Sequence, residues 1–501
     1  MKKVIYLIGI LFLSTVFILN LIFTTELDAS ECTTTVFNNF IYIIFVVVLA
    51  ILIYFVTKII NENLYKDDSE KKHKIRKHLF ITTLIIYILF NIIWALAVNP
   101  KVVGDSVHVC NLAQTFYRGN FEEFLPNLTY LGIPLKEYMQ VYPHQISLAF
   151  AYSIFFSMIH FDIMEVLRIL NIIGNVAIVI ALYKINNQLS KKYKTNKVLL
   201  LTLILTFISL PILLTFIYGD IPSLALCLFA VYFMMKYTET QNIKYPIFAS
   251  IFTMVAYMMR MNSLIFIIAT VIYLALNLLK DFSTKECKKN VLNIMVLVAY
   301  IAISIMPASL IKNYYFAKFN LDKNKTYPSI SYFLMGMEES PRGNGWYNES
   351  IAEAAINNPE NIKDQYSQGI KEKIIYFSEN IDYTLNFYIM KIASMWTENT
   401  YSAVRTNNVK ENEPMENIIK PLTFYQKALL IVICMCSLIV LIQNRKNLSI
   451  DVLFLITIFI GGFAFHLIWE AKSRYIIPYI VVLIPIASIN IKKFNIKKQC
   501  Q

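Results

Sequence analysis

In the stretch 99–110, NPKVVGDSVHVC, an Asp and a His stand three residues apart where a strongly apolar run, FITTLIIYILFNIIWALAV, ends. Asp105 at that exit can accept a proton from a hydroxyl group, or it can simply be a solvated boundary residue. The loop around it, 99–143, adds His108, Gln114, Tyr117, Arg118, Tyr130, Tyr138 and Tyr142, with His144 just beyond. Such a loop folded over a membrane-facing cleft can hold a sugar by hydrogen bonds and aromatic stacking. A carboxylate withdrawn from water there gains basicity and can act as a general base.

Two further constellations carry charge at the ends of apolar runs. In TFIYGDIPSLALCLFAVYFMMK, two runs meet at YGDIP with almost no loop. Pro222 suits the first turn of the second helix. Asp220 then stands at or next to the N-cap, and it is also a second candidate acid on the side of Asp105. In GGFAFHLIWEAKSRYIIPYIVVLIPI, a continuous helix puts His466, Glu470 and Arg474 at i, i+4 and i+8 on one face. Ionisable residues inside apolar runs are costly and mark functional sites. Arg474 can bind a phosphate through its two-pronged guanidinium, with Glu470 and His466 orienting it, or it can form an internal pair with Glu470. Arg168 in FDIMEVLRILNIIGN and Arg260 in YMMRMNSLIF are further cations for a lipid phosphate, or snorkelling arginines. DxD is missing from these stretches, and the chain has no GxxxxGK[ST], HExxH or GxSxG. No metal ligand set or cofactor is assigned; a divalent cation has no motif behind it.

The elements that must position these residues are membrane helices. The chain is 57% hydrophobic and only 16% charged, against about 25% charged in soluble domains. Many apolar runs reach the roughly 20 residues needed to cross a bilayer. We read spans near 4–23, 38–60, 80–98, 164–184, 197–218, 222–237, 245–259, 262–280, 290–312, 425–443, 449–469 and 474–490. The expected fold is an all-α polytopic membrane protein with about 12 transmembrane helices, range 11–13.

Sidedness follows from basic residues. The segments 2–3, 66–77, 191–197, 236–244, 280–289, 445–446 and 492–498 hold 24 Lys and Arg, and the short segments of the other side hold six. Basic short loops stay in the cytoplasm. The alternation works only if 144–160, HQISLAFAYSIFFSMIH, lies in the outer interface rather than crossing. Both termini are then cytoplasmic, and Asp105, His108, Asp220, Arg260, Glu470 and Arg474 gather at the extracytoplasmic edge. The net charge of +13 is accounted for by these loops, so nucleic acid is not a partner. Nucleotide sugars are absent outside the cell, so group transfer there needs a donor that arrives through the membrane, namely a lipid-linked one.

The expected organisation has four parts. Residues 1–79 form two N-terminal spans and a basic loop. Residues 80–312 form the catalytic core, with juxtamembrane helices in loop 99–163. Residues 313–424 form a polar, mainly α insert covering the outer face, and 425–501 form the last spans and a basic tail. Gly336, Gly343, Gly345 and Pro341 mark turns in the insert, while Trp346 and Tyr347 are expected to offer flat apolar surface.

The order and sidedness of GDS, the dipping helix, MEVLRIL, YGDIP and WEAKSRYIIPYI resemble the GT-C superfamily of polyprenyl-phosphate-dependent glycosyltransferases over roughly 80–490. The nearest groups are the protein O-mannosyltransferases and the aminoarabinose transferases. The insert segment YFLMGMEESPRGNGWYN is similar to one in Gram-positive membrane glycosyltransferases. The resemblance implies a GT-C fold and a donor such as an undecaprenyl-phosphate sugar. It implies Asp105 as the base with inversion at the anomeric carbon, Asp220 as the second acidic position, and Arg168, Arg474 or both as donor-phosphate cations. The chain departs from the pattern in its two extra leading spans. It also lacks a second acid beside Asp105, which weakens any carry-over of metal dependence.

On this reading the chain is an enzyme of the cell membrane and envelope. It passes a sugar from a polyprenyl-phosphate donor to a hydroxyl on a glycan, lipid or protein acceptor, among membrane lipids. Asp105 and Asp220 would be catalytic, and His108, Tyr142, His144, Arg168, Arg260, His466, Glu470 and Arg474 would bind substrate. A flippase for lipid-linked sugars would need charges near mid-bilayer and inverted repeats, and neither is evident. A non-catalytic envelope-assembly partner would use the insert for docking.

Overall fold

The computed structural model describes all residues except 66–68, 99–103, 128, 131–132, 159–162, 283–286, 360, 404–412 and 493–501. Parts of two basic loops, most of the basic tail, and the NPKVV lead-in to Asp105 therefore lie outside the described residues.

The architecture is helical, with ten helices among the described residues long and apolar enough to cross a membrane. Two of the twelve expected spans differ from these ten. Residues 245–259 form a helix, Lys244–Met259, of 16 residues, about 24 Å at 1.5 Å per residue. Residues 474–490 are broken into Ser473–Ile476, Ile477–Val481 and Ile484–Ala487. Pro478 and Pro485 lack the N–H that would continue one helix through them, and the run is buried along its length. The leading helices Phe40–Tyr65 and Glu70–Ala97 bury little surface, whereas Pro421–Gln443, Asp220–Thr240 and Ile450–Ile468 are mostly buried. The bundle thus has a protein-packed centre and a lipid-facing flank. Asn91 and Asn175 share a hydrogen bond at 2.8 Å inside it, so buried amides there are partly paired.

Loop 99–163 carries short helices: Asp105–Arg118, Phe121–Asn127, Leu135–Val141 and His144–Met158. The last has 15 residues and packs on Asp105–Arg118. The insert is helical with one tight hairpin, Glu339–Ser340 against Gly343–Asn344. Its helices include Glu349–Asn357, Ile362–Glu379 and Ile381–Trp396. Trp346 is not a surface platform: it is 1% exposed and donates its indole N–H to Ser394 at 2.8 Å.

The two leading spans are not a detached unit. Their connection is an antiparallel ribbon, Phe23–Leu27 with Thr33–Phe37, in register Thr25↔Thr35. It docks on the insert: Thr33 N donates to the Arg342 carbonyl at 2.9 Å, and Thr25 N donates to Thr397 at 3.3 Å. Buried Glu31 pairs with Arg342 at 2.6 Å and Lys472 at 3.2 Å. An ion buried with good partners holds geometry better than it adds stability.

Lys391 fixes the insert to the bundle. Its buried ammonium donates to the carbonyls of Gly336, Leu467 and Trp469 at 2.5, 2.9 and 2.9 Å. Burial pulls its pKa down to about 7, with the Glu470 charge opposing. Two of these carbonyls terminate the Ile450–Ile468 helix, where a cation is favoured. Gly336 permits the approach: a Cβ there would come within 2.5 Å of the Ile468 carbonyl oxygen and 2.8 Å of the Trp469 backbone. Backbone cannot yield as a side chain tip can. Gly336→Ala is therefore expected to destabilise the protein by about 1–3 kcal/mol, read as a lower melting temperature in detergent. An unchanged melt would show that the insert and the helix end can separate.

Candidate active site

The site grows from one turn. The 216–219 turn ends in Gly219 at φ +80°, where a Cβ would meet the Met259 carbonyl oxygen at 3.1 Å. Asp220 opens the next helix. Ser223 Oγ contacts the Ala256 carbonyl at 3.2 Å and Ser263 Oγ at 2.9 Å, which holds the turn carrying Arg260 against the start of this helix. Arg260 Nε lies 3.4 Å and Arg474 Nε 3.7 Å from the same Asp220 Oδ1. The two guanidiniums also lie over aromatic faces. Arg260 is 4.8 Å from the Tyr218 ring centre, and Arg474 is 4.2 Å from Phe216 and 5.6 Å from Tyr218, distances of cation–π attraction. Asp220 Oδ2 and Arg474 Nε are buried without hydrogen-bond partners among the described residues.

Tyr218 carries this cluster to the first loop. Its hydroxyl donates to Asp105 Oδ2 at 3.1 Å and accepts from Gln145 Nε2. One phenol thus lies beneath a guanidinium and against the Asp105 carboxylate. Asp105 is exposed at the first turn of its helix, where the helix dipole favours a negative charge. The expected withdrawal from water is not found; Asp105 is placed by its hydrogen bond and its helix end instead.

The other expected residues fall around this axis. His108 is buried and stacks on Tyr138 with ring centres 4.1 Å apart. Burial lowers its pKa, against the pull of Asp105. Tyr142 lies 5.2 Å from Tyr138 and 6.2 Å from His144 between ring centres. Arg168 is half-buried on the Ile163–Leu189 helix. Asn171, one turn on, donates to the carbonyls of Leu214 and Phe216, so that helix flanks the turn, but the described ion pairs to Asp220 come from Arg260 and Arg474.

His466, Glu470 and Arg474 do not share one helix face. The helix ends at Ile468 with Trp469 extended, and Arg474 lies in a separate 3-10 turn. Arg474 pairs with Asp220 rather than Glu470. His466 stacks on Tyr475 at 5.6 Å instead of orienting Arg474. The Arg474 turn is instead braced through Ser473 by a residue with no marker in the sequence. Buried Glu398 accepts from Thr400 N at 2.8 Å, Ser402 N at 2.5 Å and Ser473 Oγ at 2.9 Å, tying the insert's end to the Arg474 turn. Tyr218 and Gln145 were also missed. Tyr218 lies within YGDIP, and the short spacing to Asp220 was the available signal; nothing local marks Glu398 or Gln145. Among the described residues no three His, Cys, Asp or Glu side chains gather as a metal site requires.

Residues 144–310 match the family model described as dolichyl-phosphate-mannose-protein mannosyltransferase. Over that third of the chain the sequence is similar to glycosyltransferases of the GT-C type. The matched region contains Asp220, Arg260 and Tyr218. A solved structure, the Archaeoglobus fulgidus oligosaccharyltransferase in its apo form, aligns at 15% identity and TM-score 0.43 over 81% of this chain and 50% of that one. The chain thus spans about half the length of that protein. No curated protein matches the chain.

His144 gives this protein a pH signature. Burial lowers its pKa to about 4, with Asp105 opposing and Arg260 and Lys312 reinforcing. The folded state therefore holds this imidazole neutral, while the unfolded chain protonates it near the ordinary value of about 6.5. The resulting stability is present above about 6.5 and is lost as pH falls toward about 4. The drop in melting temperature from pH 7 to pH 4.5 is expected to shrink in His144→Gln. An equal drop in both proteins would show that His144 does not couple to folding.

Proposed function

We propose that this protein is a glycosyltransferase that moves a sugar from a polyprenyl-phosphate donor to an acceptor hydroxyl at the extracytoplasmic face of the cell membrane. The observation that carries the reading is the Tyr218 bridge, which sets the Asp105 carboxylate and two guanidiniums on one phenol. A base and a phosphate-sized positive site are the two parts such a transfer needs.

Arg260 and Arg474 hold the donor phosphate, since paired guanidiniums offer it charge and several N–H bonds. Asp220 acts as a positioning residue that keeps the like-charged pair together, rather than as a second base. Asp105 accepts the acceptor's hydroxyl proton. The acceptor oxygen bonds to the anomeric carbon from the side opposite the phosphate, and the carbon–oxygen bond to phosphate breaks. The lipid phosphate leaves with the electron pair, and the configuration inverts. Its departing charge is offset by the arginines, as preorganised cations do for developing anions. The excess of basic residues on the opposite loops supports an outward-facing site. A membrane multi-pass enzyme reached by a lipid donor needs no soluble nucleotide sugar. The acceptor hydroxyl can belong to a glycan, a lipid or a protein.

Asp105→Asn is expected to lower transfer from radiolabelled undecaprenyl-phosphate sugars by about 10²–10⁴-fold, while the protein accumulates normally in membranes. Full turnover in that variant would remove Asp105 from the chemistry. Arg474→Gln is expected to weaken binding of undecaprenyl phosphate by about tenfold or more, measured by tryptophan quenching or thermal shift. Unchanged affinity would move the phosphate elsewhere.

A further inference from the structure

The helix Ile381–Trp396 leads from the insert into the bundle and stops part-way through it. Its last residue is level with the spans. Asn20 of the first helix, Lys2–Ile22, donates its side-chain amide to the Trp396 carbonyl at 3.0 Å. The Trp396 ring lies 5.6 Å from Phe459 and 5.4 Å from Phe463 between ring centres. Those two rings stand nine and five residues before the end of the Ile450–Ile468 helix, so Trp396 lies about 10 Å below that end at 1.5 Å per residue. Lys391, five residues back, is bonded to the carbonyls of Leu467 and Trp469 at the end itself. Residues 391–396 are therefore at bilayer depth, and the turns before Lys391 stand at its edge.

Those turns carry a row of exposed apolar side chains. Ile381, Leu385 and Ile389 recur at i, i+4 and i+8 on one helix face and are 57, 57 and 42% exposed. Another face is packed: Phe387 is buried, and Asn344 Nδ2 donates to its carbonyl at 3.3 Å. Ile374 and Ile375, near the end of the neighbouring helix Ile362–Glu379, are exposed as well. A hydrogen bond from Thr384 Oγ1 to the Phe377 carbonyl at 2.8 Å closes the hairpin between the two helices. The hairpin also bears the residue types that favour a membrane interface. Tyr376 and Tyr383 lie 5.2 Å apart between ring centres, with the Lys373 ammonium 5.8 and 6.0 Å from those centres.

Continuity with the lipid-facing flank decides what covers the row. The Ile381–Trp396 helix packs on the first helix and on the ribbon. In that ribbon Val36 is exposed and Phe37 is 77% exposed, and Phe40 and Ile41, also exposed, open the lipid-facing span Phe40–Tyr65. Ile468, at the helix end that Lys391 grips, is exposed too. Ile389 and Leu385 stand two and six residues before Lys391, about 3 and 9 Å along the axis. The polar layer on each side of the hydrocarbon is about 5–7 Å thick, and an interfacial helix sinks its apolar face about 5–10 Å into the head-group and acyl boundary. A water-soluble partner would have to reach this face through the head groups. We propose that the hairpin of Ile362–Glu379 and Ile381–Trp396 is an interfacial membrane anchor for the insert. Ile381, Leu385 and Ile389, with Ile374 and Ile375 beside them, lie in the glycerol and upper acyl region of the leaflet on the insert side. The anchor concerns how the insert is seated, and it stands whether or not the protein transfers a sugar.

The test uses full-length protein in phosphatidylcholine nanodiscs, with Leu385→Trp and Ile389→Trp made singly and the added emission taken against wild type. Leu11→Trp, exposed on the first helix, marks the bilayer, and Glu353→Trp, exposed on the Glu349–Asn357 helix, marks water. Brominating the acyl chains is expected to lower the added emission at 385 and 389 by about twofold or more, as at position 11, and aqueous iodide to quench it at least about threefold less than at position 353. The two positions are read independently, and a wild-type melt in detergent reports that each variant is folded. Iodide quenching as strong as at position 353, with no response to brominated lipid, overturns the anchor and leaves the row to water or to a protein partner. Quenching by neither agent overturns it as well, because the row would then be covered by protein.

Discussion

One carboxylate oxygen organises this protein's cluster of charged residues. Asp220 Oδ1 draws in Arg260 and Arg474 from segments 40 and 254 residues further along the chain. Without it, two guanidiniums would face each other in a partly buried place, and like charges at low dielectric repel strongly. The pair contacts are 3.4 and 3.7 Å, longer than good hydrogen bonds, so N–H groups remain able to turn to an anion. Asp220 therefore holds the cations together without consuming them. The aromatic faces of Phe216 and Tyr218 complete the support from below.

The surrounding architecture exists largely to keep this turn, the first loop and the 473–476 turn in contact. Glu398 reaches from the insert to Ser473, and Lys391 reaches from the insert to the last carbonyls of the Ile450–Ile468 helix. Lys391 uses all three ammonium N–H bonds, a count that only the charged form supplies. Its three acceptors therefore counter the desolvation that pulls its pKa down. The leading ribbon adds Glu31, which ties Arg342 of the insert to Lys472. Three parts of the chain that look separable in sequence thus share a common set of buried ion contacts. Removing one member would strand another, and that interdependence fixes the cover over the site.

How much of this was legible in the sequence differs by feature. Apolar length and low charge disclosed a helical membrane protein, because crossing a bilayer leaves few other solutions for the backbone. Asp105, Asp220, Arg260 and Arg474 stood out because charge at the edge of an apolar run is costly unless used. The failures have equally physical causes. The 470–474 segment was read as one helix because WEAKSR has no Gly or Pro to stop it. The close approach of Lys391 and Gly336 at the helix end is tertiary, and the chain turns there. Trp346 was read as surface because it lies in a Gly-rich turn; its indole is buried by the neighbouring insert helix. The docking of the leading spans is not legible in the sequence, because ribbon docking depends on backbone hydrogen bonds, which leave little trace in side-chain pattern.

The sequence by itself determined the solvent in which this protein lives, the number of its long apolar helices to within two, and the residues whose charge demands an explanation. Those properties are local sums over consecutive side chains, and a bilayer reads them directly. Only the tertiary structure decided which charges meet. Asp220 could have capped a helix, Arg474 could have paired with Glu470, and Tyr218 could have been one more interfacial aromatic. Their partners come from the turn after Met259, the Ser473–Ile476 turn and the Asp105–Arg118 helix, and a contact between segments so far apart is fixed by packing rather than by spacing along the chain.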